Sequence, residues 1–223
     1  MNTLPDTRTF SGAKLVVLEN GRIRVYPLDQ RQKWLLGRSS KGNEPDIPFQ
    51  SKIVSRQHGW LMGMDEEWYY VDNPRNLNGT WLNGSRIERP LSGIRKPVTL
   101  RDGDVLRVDS GETALEGDIA VMLYTTREVR GNWAVYPLTG AQTVTIGRDP
   151  DCDLIRPEPA VSGKHAAITC LNGRFYLSDC GSRAGTILNG RAIDCPVALR
   201  EKDHFSICGG NFFFLRDRLL YER

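Results

Sequence analysis

The sequence repeats itself, and this repeat constrains the fold more than any other feature. Three short motifs occur in the same order in both halves of the chain: Gly-Arg, Ser-x-x-His, and Gly-Thr followed by Asn-Gly. The offset between the copies is 110 residues at the arginine, 107 at the serine and the histidine and 106 at the threonine. The pairs are Arg38 and Arg148, Ser55 and Ser162, His58 and His165, and Thr80 and Thr186. An offset that drifts only between motifs indicates two homologous domains, and 223 residues suffice for both.

Short strands separated by turns run through each half. Asn20-Gly21 is a strong hairpin signal, and after it Ile23 and Val25 alternate with two arginines, as in a half-buried strand. No segment shows a convincing periodicity of an amphipathic helix. The pattern predicts an all-β chain with a β-sandwich or barrel in each half. We expect a disordered polar segment at residues 1–12, a first domain at residues 13–126 and a second domain at residues 127–223.

Composition argues against several classes of protein. A net charge of +3 and a pI of 8.6 are too small an excess to indicate a nucleic-acid partner. No run approaches the roughly 18 apolar residues of a spanning helix, and the N-terminus lacks the pattern of a signal peptide. We therefore expect a cytoplasmic location and no direct insertion into a membrane. The five cysteines are odd in number and contain no C-x-x-C pair, which predicts free, buried thiols and no metal site.

Motifs for catalysis and cofactor binding are missing from the sequence. The chain has no G-x-G-x-x-G or G-x-x-x-x-G-K-[ST] phosphate loop and no G-x-S-x-G nucleophile elbow. Its three histidines leave few candidates for a metal site or a catalytic triad, and His204, in a strand, is expected to be structural. We predict a non-catalytic protein without a cofactor.

The motif set, in order and in duplicate, resembles the forkhead-associated (FHA) domain over nearly the whole chain. The resemblance implies two tandem β-sandwiches of about eleven strands each, with loops at one end that bind phosphothreonine in an extended peptide. By this resemblance Arg38 and Ser55 hold the phosphate, and Asn78 bonds to the peptide backbone. Ser39 and Arg56 are further candidate donors. The residue types suit a group with nearly two negative charges and three acceptor oxygens, because arginine presents a rigid fork of N–H donors.

The same resemblance assigns structural roles to the histidines and to one asparagine of each copy. His58 is expected to brace the binding loops rather than to contact the ligand, and Asn83 to brace its loop through its side chain. The counterparts in the second copy are His165 and Asn189.

The second copy departs from the pattern. It keeps Arg148 and Ser162, but Ala184 stands where the first copy has Asn78, and alanine has no amide for a peptide backbone. Lys164 adds a cation that either compensates or is a solvated loop residue. The second domain therefore either binds phosphothreonine or serves in packing or protein contact. For both arginines the alternative is a surface ion pair with a carboxylate such as Asp46 or Asp153.

A narrower resemblance concerns the whole tandem. Two FHA-like domains, the second ending in residues 209–221, resemble the cytoplasmic N-terminal part of the FtsK/SpoIIIE-type membrane ATPases of type VII secretion. That family implies a longer parent chain with transmembrane helices and ATPase modules, and partners among the secretion components. The alternatives are thus a phosphothreonine-dependent module, a phosphate-independent docking module of a secretion system and, on the slight basic excess, a nucleic-acid binder.

Overall fold

The computed structural model describes residues 9–10, 12–20, 22–28, 32–88, 96–108, 120–130, 132–139 and 142–223. These residues form strands, turns and loops, with no helix among them, so the described part of the chain contains no helix able to cross a membrane. The chain divides into two compact units, and the boundary in the sequence falls between Val129 and Arg130. The expected boundary lay three residues earlier, after residue 126.

Two sheets make up the first unit. Its strands are β1 (Thr9–Phe10), β2 (Lys14–Glu19), β3 (Arg22–Pro27), β4 (Lys33–Arg38), β5 (Ile47–Phe49), β6 (Gly59–Met64), β7 (Glu67–Asp72), β8 (Thr80–Leu82), β9 (Ser85–Arg86), β10 (Val98–Leu100), β11 (Val105–Val108) and β12 (Ala120–Thr125), followed by β13 (Val129–Arg130) at the boundary. One sheet has the order β10-β7-β6-β4-β5 and the other the order β3-β2-β12-β11-β8-β9, while β1 and β13 pair with each other and belong to neither.

The segment at residues 1–12, expected to be disordered, falls mostly outside the described residues. Within it, Thr9–Phe10 forms the two-residue strand β1. Threonine and phenylalanine both favour extended backbone, which suits a strand at this position.

The second unit repeats this architecture. Its strands are β14 (Trp133–Pro137), β15 (Thr143–Gly147), β16 (Leu154–Ile155), β17 (Ala166–Leu171), β18 (Arg174–Asp179), β19 (Thr186–Leu188), β20 (Arg191–Ala192), β21 (Val197–Ala198), β22 (His204–Ile207), β23 (Gly210–Leu215) and β24 (Arg218–Glu222). They form sheets of order β14-β24-β23-β22-β19-β20 and β16-β15-β17-β18-β21. Eleven described strands thus build the two sheets of each unit, and the predicted fold class, two β-sandwiches of about eleven strands, is confirmed.

Each unit has its own hydrophobic core between its sheets. The first is built from residues of both sheets, including Leu36, Leu61 and Leu106, each at most 1% exposed. In the second, Phe205 and Phe212 stack with ring centroids 4.7 Å apart. Offset or edge contacts between aromatic rings add to the gain from burying them.

Strand directions in the five-stranded sheet of the first unit bring three loops to one end. β5 runs parallel to β4, and β6 runs antiparallel to β4 and to β7. The C-terminal ends of β4, β5 and β7 and the N-terminal end of β6 therefore lie at the same end of the sheet. The loops at residues 39–46, 50–58 and 73–79 emerge there, and they carry the first copy of the repeated motifs.

Candidate functional site

A cleft of about 630 Å³ lies among these three loops. Its lining consists of Arg38, Lys41, Gly42, Asn43, Lys52, Ile53, Val54, Ser55, Arg56, Gln57, Asn73, Arg75, Leu77 and Asn78. Five of these side chains are cationic and none is acidic. The cleft is therefore an open, positively charged surface built from loops on a rigid sandwich.

Glycine before the arginine allows the end of β4 to lie directly against the loop that carries Ser55. A Cβ placed on Gly37 would lie 2.0 Å from the backbone oxygen of Arg56, which no side chain tolerates. The close approach lets the Arg38 N–H donate to the Ser55 oxygen at 3.0 Å. In the Gly-Arg motif, the glycine thus permits the close backbone approach, and the arginine supplies the side chain that lines the cleft.

The Arg38 side chain is half-buried and held at one point. Its Nε donates to the Val54 backbone oxygen at 3.2 Å, and among the described residues no carboxylate forms an ion pair with it. Asp46 instead accepts a bond from the Leu35 N–H at 2.8 Å. The surface ion pair with Asp46 is therefore absent, and the remaining guanidinium donors are available to a ligand in the cleft.

Three asparagine side chains tie the loops together. Asn43 Nδ2 donates to the backbone oxygens of Arg38 and Arg56, both at 2.9 Å. Asn73 Nδ2 donates to the Gln57 oxygen at 2.7 Å, and Asn78 Nδ2 to the Ile53 oxygen at 2.7 Å. Each of the three asparagines thus has a bond that joins the loop at residues 50–58 to one of its neighbours, so the cleft is pre-organised.

His58 braces this loop from below. Its ring is buried, and Nδ1 accepts the Ser55 N–H at 3.1 Å. An accepting Nδ1 on a neutral ring leaves the proton on Nε2, which lies 3.1 Å from Thr80 Oγ1. Thr80 in turn donates to the Asp72 carboxylate at 2.7 Å. The chain of bonds sets the position of Ser55, and His58 itself is not part of the cleft lining.

The structure brings most of the predicted ligand-binding residues of the first copy together. Arg38, Ser55, Arg56 and Asn78 all line the cleft. Ser39 does not: its N–H donates to the Phe49 oxygen at 2.9 Å, continuing the ladder between β4 and β5.

Several lining residues escaped the sequence reasoning. They are the cations Lys41, Lys52 and Arg75 and the loop-tying amides Asn43 and Asn73. They belong to no repeated motif, and their loops carried only the composition of irregular structure. These residues share one surface because the three loops lie side by side in the folded domain.

Asn83 braces a different turn from the one that forms the cleft. With a φ of 49°, it sits in the turn between β8 and β9, a conformation that asparagine tolerates better than most residues. Its Nδ2 donates to Asp104 at 2.8 Å and its Oδ1 accepts the Val105 N–H at 2.9 Å. Asn189 makes the equivalent bonds to Asp203 and His204, at 2.9 and 3.1 Å.

The second unit keeps the backbone arrangement of the first. A Cβ on Gly147 would lie 2.0 Å from the Gly163 oxygen, and the Arg148 N–H donates to the Ser162 oxygen at 3.0 Å. His165 Nδ1 accepts the Ser162 N–H at 3.1 Å. Its Nε2 meets the Gly185 backbone oxygen, at 3.1 Å, rather than a threonine hydroxyl.

In the second unit, the groups equivalent to those of the first cleft have hydrogen-bond or ion-pair partners or lie beside carboxylates. Ser162 Oγ accepts the Arg183 N–H at 3.1 Å, and Lys164 pairs with Asp151 at 3.4 Å. Gly163 replaces the arginine of the first copy, and the Asp149 carboxylate lies 2.5 Å from where a Cβ on Gly163 would be. Arg148 is exposed and forms no ion pair with a described carboxylate; Asp153 accepts bonds from Thr145 instead. This surface carries both charges, unlike the first cleft.

The five cysteines are free thiols, as predicted, but they are not all buried. Cys152 is buried, Cys170 and Cys208 are half-buried, and Cys180 and Cys195 are exposed, which corrects the prediction of uniformly buried thiols. Burial raises the pKa of Cys152, which keeps this thiol protonated at neutral pH. Among the described residues no group of three or more His, Cys, Asp or Glu side chains has the arrangement of a metal site.

Comparison with known proteins identifies the family of the repeated unit. The FHA domain matches residues 34–109 and 144–208. The ubiquitin ligase DMA2 of Saccharomyces cerevisiae is 37% identical over 119 residues, which are 48% of this chain and 23% of that protein. The transcriptional regulator EmbR of Mycobacterium tuberculosis is 29% identical over 127 residues, 57% of this chain and 31% of EmbR. The chain thus spans less than a third of either relative.

Among solved structures, the N-terminal FHA domain of EssC, a component of the bacterial type VII secretion apparatus, is 14% identical with a TM-score of 0.37. The similarity covers 94% of this chain and 90% of that one. The family match includes both copies of the motif set and all the residues that line the cleft. This chain belongs to the FHA domain family and contains two copies of the domain.

Proposed function

We propose that the first domain binds a phosphothreonine-containing peptide or protein, and that the tandem serves as a non-catalytic binding module in signalling or assembly. One observation carries the proposal. The residues that the family motif assigns to the phosphate and the peptide, Arg38, Ser55 and Asn78, line a single cleft without an acidic side chain.

The free bonding capacity of these residues suits the ligand. Among the described residues, the Ser55 hydroxyl and Asn78 Oδ1 have no hydrogen-bond partner, while the Asn78 Nδ2 is held by the Ile53 oxygen. Arg38 and Ser55 can donate to phosphate oxygens, and Asn78 Oδ1 can accept an N–H of the peptide backbone. Each bond to the charged phosphate is expected to contribute about 1.5–3 kcal/mol.

The relatives leave the whole protein's activity open to proposal. DMA2 is named a ubiquitin ligase and EmbR a transcriptional regulator, and the similarity to each covers under a third of its length. We assign binding to the residues in hand and propose that they act in the cytoplasm. Any catalytic activity would belong to other parts of a longer protein.

A calorimetric titration tests the proposal. A degenerate phosphothreonine peptide library and its unphosphorylated form are titrated into the wild-type protein, the Arg38→Ala variant and the Arg148→Ala variant. We expect binding of the phosphorylated library alone, lost in Arg38→Ala and kept in Arg148→Ala. Equal affinity of wild type and Arg38→Ala would overturn the assignment of this cleft.

A second candidate function is phosphate-independent docking, with an assembly role in a type VII secretion apparatus as its concrete form. It is favoured by the second domain, where Lys164 pairs with Asp151, Gly163 stands in place of Arg56 and Ala184 replaces the asparagine. Absence of phosphopeptide binding by all three proteins would favour this candidate, and capture of purified secretion components by the tandem would then test it directly.

A further inference from the structure

Three cations of the first cleft are not needed to hold a phosphothreonine. Lys41, Lys52 and Arg75 each lie on a different loop, and all three are exposed. Among the described residues none of them forms an ion pair with a carboxylate. Together with Arg38 and Arg56 they place five positive charges around one cleft.

The charge of the ligand can be compared with that of the cleft. A phosphothreonine carries about 1.5–2 negative charges at neutral pH. Pairing it with Arg38 and Arg56 leaves about three positive charges facing the same space. Positive charges around one cleft repel one another, and a ligand with further anionic groups relieves that repulsion.

The extra cations sit on loops that the asparagine bonds hold in place. Lys41 precedes the Asn43 whose amide joins two loops, and the Arg75 N–H donates to Asn73 Oδ1 at 2.9 Å. Lys52 precedes Ile53, whose oxygen is bonded by Asn78. Their backbone positions are thus set before any ligand arrives.

The second domain shows that the fold itself does not require these cations. At the 107-residue offset, Pro159 replaces Lys52 and Gly163 replaces Arg56. Asp149 and Asp151 lie near its serine loop instead. The five-cation cleft is therefore a property of the first domain.

We infer that the ligand of the first domain is a phosphothreonine peptide that carries additional negative charge beside the phosphothreonine, read by Lys41, Lys52 and Arg75. The inference rests on the proposed function of the same cleft. Acidic side chains and a second phosphate offer the same anionic chemistry, so the experiment treats them as separate arms.

The experiment uses four peptides of equal length. One has a single phosphothreonine with neutral flanks, one has the same phosphothreonine among Asp and Glu residues, one carries a second phosphothreonine, and one is the acidic peptide without phosphate. Each is titrated into the wild type and into a Lys41→Gln, Lys52→Gln, Arg75→Gln triple variant. The control is an Arg174→Gln, Arg191→Gln, Arg200→Gln variant, which removes the same charge from exposed positions of the second domain.

We expect the wild type and the control to bind an anionic-flanked phosphopeptide on the order of tenfold more tightly than the neutral-flanked one, since each exposed ion pair contributes modestly. The triple variant should bind both with affinities within about threefold. The tighter of the two anionic arms identifies the source of the charge.

Equal binding of neutral and anionic phosphopeptides by the wild type would overturn the inference and leave the proposed function intact, as would a tenfold preference that persists in the triple variant. Binding of the unphosphorylated acidic peptide as tightly as its phosphorylated form would overturn the proposed function as well. Failure of the wild type to bind any of the four peptides would overturn both.

Discussion

Replacing Gly37 by alanine tests whether the close approach of β4 to the serine loop creates the binding cleft. The new Cβ would lie 2.0 Å from the Arg56 oxygen, whereas carbon and oxygen normally approach to about 3.3–3.6 Å. The two segments must therefore separate by more than roughly 1 Å. Forcing an extra methyl group into a packed site costs about 1–3 kcal/mol of stability.

The same displacement moves Ser55 away from Arg38. It lengthens the hydrogen bond from the Arg38 N–H to the Ser55 oxygen, which is 3.0 Å in the wild type. The Arg38 and Ser55 side chains can then no longer bind the same phosphate. Loss of one bond to the charged group, about 1.5–3 kcal/mol, corresponds to a decrease in phosphopeptide affinity on the order of 10-fold to 100-fold.

Gly147→Ala is the matched control. Its Cβ would lie equally close, 2.0 Å, to the Gly163 oxygen in the second domain. It should cost similar stability there and leave phosphopeptide affinity unchanged. Calorimetric titration gives the affinities, and urea unfolding gives the stabilities. The reasoning is refuted if Gly37→Ala binds like the wild type, or if both variants lose affinity equally.

Three further outcomes follow from the hydrogen bonds and from burial. His58→Ala removes the acceptor of the Ser55 N–H, so we expect a loss of about 2–4 kcal/mol in the stability of the first domain and weaker phosphopeptide binding; His165→Ala should destabilise without weakening binding. Asn83→Ala should cost about 1–3 kcal/mol in urea unfolding but leave the dissociation constant within about twofold, because its bonds lie outside the cleft, and a larger change would contradict this. Burial lowers the pKa of His204 to about 4, so between pH 6.5 and pH 4 the unfolded state binds a proton that the folded state does not bind. The free energy of unfolding of the second domain should therefore be highest above pH 6.5 and fall by about 3 kcal/mol as the pH drops to 4. In His204→Leu, urea unfolding at a series of pH values should show a flatter profile.

The repeat and its motifs were readable from the sequence because they depend on local residue types. Gly37-Arg38 and Ser55 with His58 recur at a nearly constant offset, and turn signals divide the chain into strands. Such signals are carried by neighbouring residues. They sufficed for the all-β class, for the two copies of the domain and for four residues that line the cleft.

Local residue types do not reveal features that depend on distant neighbours. Ser39 has a suitable hydroxyl but is not among the residues that line the cleft, and its role as a donor stays a prediction. The prediction of uniformly buried cysteines was wrong for the same kind of reason. Cys180 and Cys195 are exposed, and the packing that decides this is not visible in any local sequence pattern.

The sequence alone determined that two copies of one motif set exist and that the first retains its asparagine, whereas only the tertiary structure decided which charged and polar side chains share a surface in each copy. Lys41, Lys52 and Arg75 are 11 to 34 residues apart and share one cleft because antiparallel and parallel strands end at the same edge. In the second domain, Asp149 lies beside Gly163 and Asp151 pairs with Lys164, so the surface that carries the same motif holds both charges. Charge and hydrogen-bonding capacity act through space, so their sum at a site is set by the fold.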